Sequence, residues 1–391
     1  MKSWIRVVAA TAVAATALAG CSGGSSKSDS KVVTIGGALG LTGDAAIGDV
    51  PLLAGLKYQI DKINAAGGVA GYTFDVQAKD MKSDSASGGT VAQELVDAGA
   101  DILIGPAFPG MATGVIEVAG SSGVPVIAGA STQPEYTAIG GNASVFLAAF
   151  GDNVQAAGVA EYLLKNGKKT AVTVSSPDMT YTSNTPKFFA DTFTHGGGKV
   201  LGDVTFSIGQ TDFSAQVTKI AAMNPRPDVI YTTMFPPDTP SFIRALRRAG
   251  VETPVAGGDG FDTAGLLEAG GDALVGTVFS THVFPTPGSD YAAFLDGPGK
   301  SNKDISDGPA LGALGVTIAQ IIAAAVEKAG SNDAKAITDA LKQLKDVPTM
   351  TGAVTYQGTT GIPLKPVTIG AVEGGKFVYK DSFVPSYIPT P

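Results

Sequence analysis

Val32–Gly37 reads VVTIGG and Leu52–Gly68 reads LLAGLKYQIDKINAAGG. The first is a short apolar run rich in β-branched residues, the signature of a buried strand. The second sets Leu52, Leu56, Ile60 and Ile63 on one face at helical spacing and stops at Gly67-Gly68. Glycine takes the left-handed conformation that closes a helix C-terminus. A strand followed by a one-faced helix is half of a βαβ unit, and the fold follows from whether the unit recurs.

It does recur. Strands are predicted near Phe74–Ala78, Ile102–Ile104 and Val124–Ala128, with helices near Gly88–Ala98 and from Met111 between them. A second series has strands near Thr170–Val174, Val229–Tyr231, Pro254–Ala256 and Val278–Ser280. One of its helices, Phe213–Met223, aligns Phe213, Val217 and Ile220. Helices follow at Ala310–Ala329 and Asp333–Leu344, and the tail from Thr351 reads as short strands (GAVTY, KPVTIGAV, KFVYK). Such alternation predicts an α/β fold, with parallel sheets covered by helices on both faces. Some 360 residues from Lys31 onward are too many for one ordinary core and suit two lobes. No tandem repeat of short period is visible.

The N-terminus has the layout of a secretory signal. Lys2 and Arg6 precede an apolar run, Val7–Leu18, that falls short of the roughly 20 residues a membrane-crossing helix needs. Leu18-Ala19-Gly20-Cys21 then places small residues before a cysteine, the lipobox pattern of bacterial lipoproteins. Residues 1–20 are therefore expected to be removed and Cys21, the chain's single cysteine, to carry lipid. Residues 21–30, with SGGSSKSDS at Ser22–Ser30, form a flexible tether. No later run reads as membrane-spanning. Lipid is thus the expected membrane anchor, on the extracytoplasmic face, and more than one acyl chain is needed to hold it.

Composition narrows function by exclusion. The net charge of −8 becomes about −10 once Lys2 and Arg6 are lost, which argues against nucleic acid as a partner. The two histidines, His195 and His282, lie far apart in sequence with no cysteine or further histidine at ligand spacing, so no metal is expected. No G-x-S-x-G elbow and no G-x-G-x-x-G fingerprint occurs, and Gly299-Lys300-Ser301 lacks the first glycine of a phosphate loop. No cofactor and no catalytic residue is assigned.

Against this background a set of short segments stands in order along the chain. These are Leu41-Thr42-Gly43, Ile63–Gly68 with Gly71, Asp80 with Ser83-Asp84, and Ile104-Gly105-Pro106. Val126–Thr137 (VIAGASTQPEYT), Thr211–Ser214, Gly257–Asp262 and Thr351-Gly352 follow. Together they resemble type 1 periplasmic solute-binding proteins, most closely the leucine/isoleucine/valine-binding branch. The resemblance implies two Rossmann-like lobes joined by a three-strand hinge, with a small-molecule solute between them and an ABC permease as partner. It places the crossings near Gly151, His282 and Pro348. Lobe one is then 31–150 plus 283–350, and lobe two is 151–282 plus 351–391.

The candidate binding residues come from strand ends and from this resemblance. In open parallel sheets ligands collect at the carboxyl ends of strands. Ala130, Ser131 and Thr132 stand there, before Pro134-Glu135, where main-chain N–H groups and hydroxyls can hold a carboxylate or cap a helix. The resemblance gives this segment the solute's carboxylate and amino group. It gives Asp259 the ammonium, although an aspartate between glycines also suits a turn. Tyr181 matches a tyrosine that covers the solute from the second lobe, with Thr182 replacing the usual glycine.

Departures from the family pattern bear on the solute. Ile47 replaces an aromatic residue. Ala107-Phe108-Pro109-Gly110 follows Gly105-Pro106, with Pro109 in place of a hydrogen-bonding serine, and Phe235 replaces a tyrosine. Proline supplies neither an N–H nor a hydroxyl. A more apolar pocket is expected, suited to a larger hydrophobic or aromatic solute or one without a complete amino-acid head group. The leading expectation is a monomeric solute-binding lipoprotein of an ABC importer. A ligand sensor for a membrane signalling system is the alternative, and a surface enzyme the third.

Overall fold

The computed structural model describes residues 31–141 and 144–391. The segments expected to be a signal peptide, a lipobox at Cys21 and a tether lie outside the described residues. The described chain is an α/β protein of two lobes, each built on its own sheet.

Twelve strands are seen among the described residues: β1 (Val32–Leu39), β2 (Thr73–Asp80), β3 (Ile102–Gly105), β4 (Val126–Ala128), β5 (Val145–Leu147), β6 (Thr170–Ser175), β7 (Lys199–Thr205), β8 (Val229–Thr232), β9 (Val255–Gly257), β10 (Val278–Thr281), β11 (Val367–Glu373) and β12 (Lys376–Phe383). The first sheet runs β2-β1-β3-β4-β5, all parallel. The second runs β12-β11-β10-β9-β8-β6-β7. Its parallel part, from β7 to β10, repeats the first sheet's order, so the duplication lies in topology and leaves no trace as a sequence repeat. In both sheets the order reverses beside the first strand, opening a crevice at the strands' carboxyl ends. β11 and β12 depart from the all-parallel expectation, pairing antiparallel beyond β10. Antiparallel edge strands on parallel sheets are common.

The opening helix runs Ala46–Ala65, six residues longer at its start than the apolar stripe suggests, and it passes through Pro51. Leu52, Leu56 and Ile60 are buried against the sheet. Gly68 closes the helix by donating its N–H to Ile63 O at 2.9 Å with φ +76°. The helix Pro309–Ala329 packs along it. That second helix is long and apolar enough to cross a membrane, which corrects the expectation that no later run is. Its most apolar window is 72% buried, as befits a core helix.

Three segments connect the lobes. Residues 148–151 leave β5 for the helix Asp152–Lys165, which packs on the second sheet. Residues 282–289 lead from β10 back to the first lobe. The third differs from the sequence expectation. Val354 and Tyr356 are buried in the first lobe's core, and the Tyr356 hydroxyl donates to Leu147 O at 2.6 Å. Residues 351–364 therefore pack with lobe one, and the passage to lobe two comes at Lys365-Pro366 instead of near Pro348.

Lys365 is fully buried at that passage. Its ammonium donates to Thr351 Oγ1 at 2.6 Å and reaches Ala148 O, on the first connection, at 3.4 Å. Burial pushes it down to about 7 from an ordinary 10.5. A lysine whose folded value is depressed destabilises the protein fully below that value and releases the penalty as pH rises toward 10.5. Lys365→Met is expected to raise stability at pH 6 by roughly 2–4 kcal/mol. It should also remove the wild type's gain in stability between pH 7 and 10, read by urea unfolding at each pH. An unchanged pH profile in the variant would contradict this assignment.

Candidate functional site

A cleft of ≈ 930 Å³ opens between the lobes at the carboxyl ends of both sheets. Its size matches pockets for small organic molecules. Ala107, Phe108, Ala130, Thr132, Glu135 and Tyr136 line it from the first lobe, and Met179, Tyr181, Phe235, Asp259 and Gly260 from the second. Seven of the sequence-derived candidates thus meet at one place: Ala107, Phe108, Ala130, Thr132, Tyr181, Phe235 and Asp259.

Two candidates do not line it. Ile47 is 70% exposed, on the outward face of the opening helix, while its neighbours Gly48 and Asp49 turn inward. Ser131 is fully buried, and its hydroxyl has no hydrogen-bond partner. Ser131 is turned into the protein, while Ala130 and Thr132 on either side of it line the cleft.

Asp49 organises the first lobe's rim. Its carboxylate accepts from Gly40 N at 2.7 Å and from Ala107 N at 2.6 Å, tying together the loops after β1 and β3. Burial raises it to about 6 even though both N–H groups pull the other way. The Ala107 N–H is therefore already engaged. The Phe108 ring lies over Gly48, where a Cβ would approach it to 2.8 Å.

The floor of the cleft is a continuous polar network. Tyr181, in the first turn of the helix Thr180–His195, donates its hydroxyl to Asp259 Oδ1 at 2.8 Å. Asp259 Oδ2 lies 3.1 Å from His282 Nε2. Gln155 Oε1 accepts from Asp259 N at 3.0 Å and Ser280 Oγ at 2.8 Å, while Gln155 Nε2 donates to Asp152 Oδ1 at 2.9 Å. The Thr132 hydroxyl bonds the Asp152 carboxyl from the first lobe. Asp259 is thus held by side chains and does not act as a simple turn cap. Gly258 permits this, since a Cβ there would fall 2.3 Å from the Tyr181 hydroxyl.

The electrostatics are acidic. Burial holds Asp152 well above the usual carboxylate range, and Asp259 and Glu135 add to the rise. Burial also works against the charge on Asp259, but the bonds from His282 and Tyr181 outweigh it and hold that carboxyl below its ordinary value. Glu135 accepts from Asn184 Nδ2 of the opposite lobe at 2.9 Å, and its other oxygen is buried without a partner. Among the described residues no lysine or arginine lines the cleft. Around the acids stand Phe108, Tyr136, Met179, Tyr181 and Phe235, with the Tyr181 and Phe235 rings 5.1 Å apart. This arrangement can hold a small molecule with a cationic nitrogen and an apolar body. Among the described residues no group of His, Cys, Asp and Glu is placed to hold a metal ion.

Sequence reasoning missed Glu135, Asp152, Gln155 and, as a site residue, His282. Asp152 carried one signal: an acid directly after the apolar AAFG at Ala148–Gly151. Glu135 follows the Ala130–Thr132 segment closely in sequence, whereas Gln155 and His282 become neighbours only through the topology.

Comparisons with known proteins bear on the fold and the family. The Leu/Ile/Val-binding protein BraC3 of Rhizobium johnstonii is 29% identical over 347 residues, covering 88% of this chain and 93% of the relative. The leucine-binding protein LivK of Thermotoga maritima superposes with a TM-score of 0.75 at 27% identity, over 90% of this chain and 99% of that one. The branched-chain amino acid transporter substrate-binding protein LivJ of Streptococcus pneumoniae, in complex with isoleucine, gives 0.72 at 25% identity, over 92% and 100%. A family model described as periplasmic binding protein matches residues 32–376, nearly the whole described chain, and this protein belongs to that family.

Proposed function

We propose that this chain is the extracytoplasmic solute-binding lipoprotein of an ABC importer for branched-chain or related amino acids, anchored through Cys21. The observation that carries the reading is the interlobe cleft, with Asp259 and its network on the floor and aromatic residues from both lobes around it. A solute touching both walls favours the closed arrangement by contacts available only there, and the three connecting segments serve as the hinge. The names of BraC3, LivK and LivJ point to leucine, isoleucine and valine. Phe108 and Phe235 extend the range toward a larger apolar or aromatic body. The reading is capture without chemistry on the solute, in keeping with a family of binding proteins.

Intact and native mass spectrometry of protein extracted from its own membrane tests the reading. The expected result is a chain beginning at Cys21 with added acyl mass, carrying one small amine-bearing molecule in the native spectrum. A chain that keeps residues 1–20, or a bound species with no basic nitrogen, would contradict it.

A further inference from the structure

Away from the three connections, the lobes are tied side chain to side chain at Glu135 and Asn184. Glu135 lies in the helical turn Pro134–Gly141, just after the Ala130–Thr132 segment, and lines the cleft from the first lobe. Asn184 lies on the helix Thr180–His195 of the second lobe, about one turn after Tyr181. Its Nδ2 donates to Glu135 Oε1 at 2.9 Å. Another tie between the lobes, from Asp152 N to Thr132 O at 2.7 Å, sits directly beside the first connection.

The Asn184 amide is turned for this contact by its own helix. Lys187 donates its Nζ to Asn184 Oδ1 at 3.0 Å, and the Ser183 hydroxyl donates to the same oxygen at 3.3 Å. An ammonium can only donate, so it claims the carbonyl end of the amide and leaves the NH2 end for the Glu135 carboxylate, which accepts. The second Glu135 oxygen, Oε2, is buried with no partner. Losing the Asn184 donor would strand a partly desolvated anion, which costs more than an ordinary exchange of one hydrogen bond for water.

We infer that the Glu135–Asn184 pair is a latch: it forms when the lobes meet, uses no atom of the solute, and slows the solute's escape by holding the cleft shut. The inference takes from the proposed function that the lobes part about their connections. Parting separates the two walls and breaks this bond, whereas the Thr132–Asp152 tie beside the first connection moves least. Apparent affinity scales with the fraction of protein that can hold the closed arrangement. The latch is made after the solute has entered, so its loss raises the release rate and leaves entry unchanged. Asn184 does not itself line the cleft, so its substitution reads closure and not contact with the solute.

Asn184→Ala is expected to speed the release of radiolabelled isoleucine roughly 5- to 100-fold, with the entry rate kept within about twofold of wild type. Asn184→Asp sets two carboxylates face to face and should speed release further. In a Glu135→Gln background, which offers the new acceptor a donor, Asn184→Asp should cost little. That rescue separates a latch from damage to the fold, and a thermal melt of each variant checks the fold directly. Small-angle X-ray scattering of the solute-free protein gives a second reading: Asn184→Asp enlarges the radius of gyration, and adding Glu135→Gln restores it. Wild-type release from Asn184→Ala, or a defect in Asn184→Asp that Glu135→Gln does not relieve, overturns the latch. If neither isoleucine nor phenylalanine binds the wild type, the solute reading fails by itself. The latch is then judged by scattering, where an unchanged radius in Asn184→Asp overturns it.

Discussion

Asp259→Ala is expected to weaken capture of an amine-bearing solute by roughly 30- to 3,000-fold, the range that follows from removing one member of a buried, hydrogen-bonded charge pair. The wild-type carboxylate is 20% exposed, which leaves it an open face toward the cleft. Its other contacts, Tyr181 and His282, are fixed from the second lobe and the second connection. Alanine removes the solute's partner and strands both neighbours. Asp259→Asn keeps the shape and loses only the charge, so it should recover part of the affinity and most of the stability. Titration calorimetry gives the affinities, and a thermal melt of each variant confirms that the fold is retained. If Asp259→Ala binds within about threefold of wild type, the solute's nitrogen does not sit at this carboxylate.

Gly55→Ala should be among the most destabilising single-methyl changes in the chain, at about 3 kcal/mol or more. The helices Ala46–Ala65 and Pro309–Ala329 approach so closely that a Cβ on Gly55 would lie 1.9 Å from Gly312 O. One on Gly315 would lie 2.0 Å from Leu52 O. These obstacles are backbone atoms and cannot swing aside as a side chain can, so the helices must separate and lose buried contact along their length. Gly265 is the control: it lies in the helix Ala264–Gly270, and a Cβ there meets nothing within 4 Å. Gly265→Ala should be neutral or gain up to about 1 kcal/mol from helix propensity. Urea unfolding reads both as a shift in midpoint at constant slope. Equal midpoints for the two variants would show that the helices are not in backbone contact at Gly55.

The architecture was legible where burial on both faces writes continuous apolar runs, as in Val32–Leu39 and Ile102–Gly105. It was not legible in Lys199–Thr205 (KVLGDVT), a half-exposed edge strand interrupted by Gly202 and Asp203. Nor was it in Val145–Leu147, where three residues are too few to show a period. The third connection was misplaced because Val354 and Tyr356 look like the start of the final strands. Only their packing against the first sheet assigns them to lobe one.

The site divided along similar lines. Strand ends and the ordered family segments led to Ala130, Thr132, Tyr181 and Asp259, because those residues sit where local geometry already points at a ligand. The residues around them did not announce themselves. Gln155 and Ser280 are 125 positions apart yet share a hydrogen bond, and His282 meets Asp259 only because β9 and β10 are neighbours. Ile47 misled for a related reason. Helical phase, which a one-residue displacement alters by about 100°, turns it to solvent while Gly48 faces Phe108.

The central claim is that one solute is held by both lobes at once. Calorimetric titration of the wild type with isoleucine and phenylalanine tests it most directly, alongside one substitution on each wall, Phe108→Asp in the first lobe and Tyr181→Ala in the second. One-to-one binding of at least one of these amino acids is expected, weakened at least tenfold by either substitution. Binding left intact by a change on either wall, or no binding of either amino acid to the solute-free wild type, would contradict it.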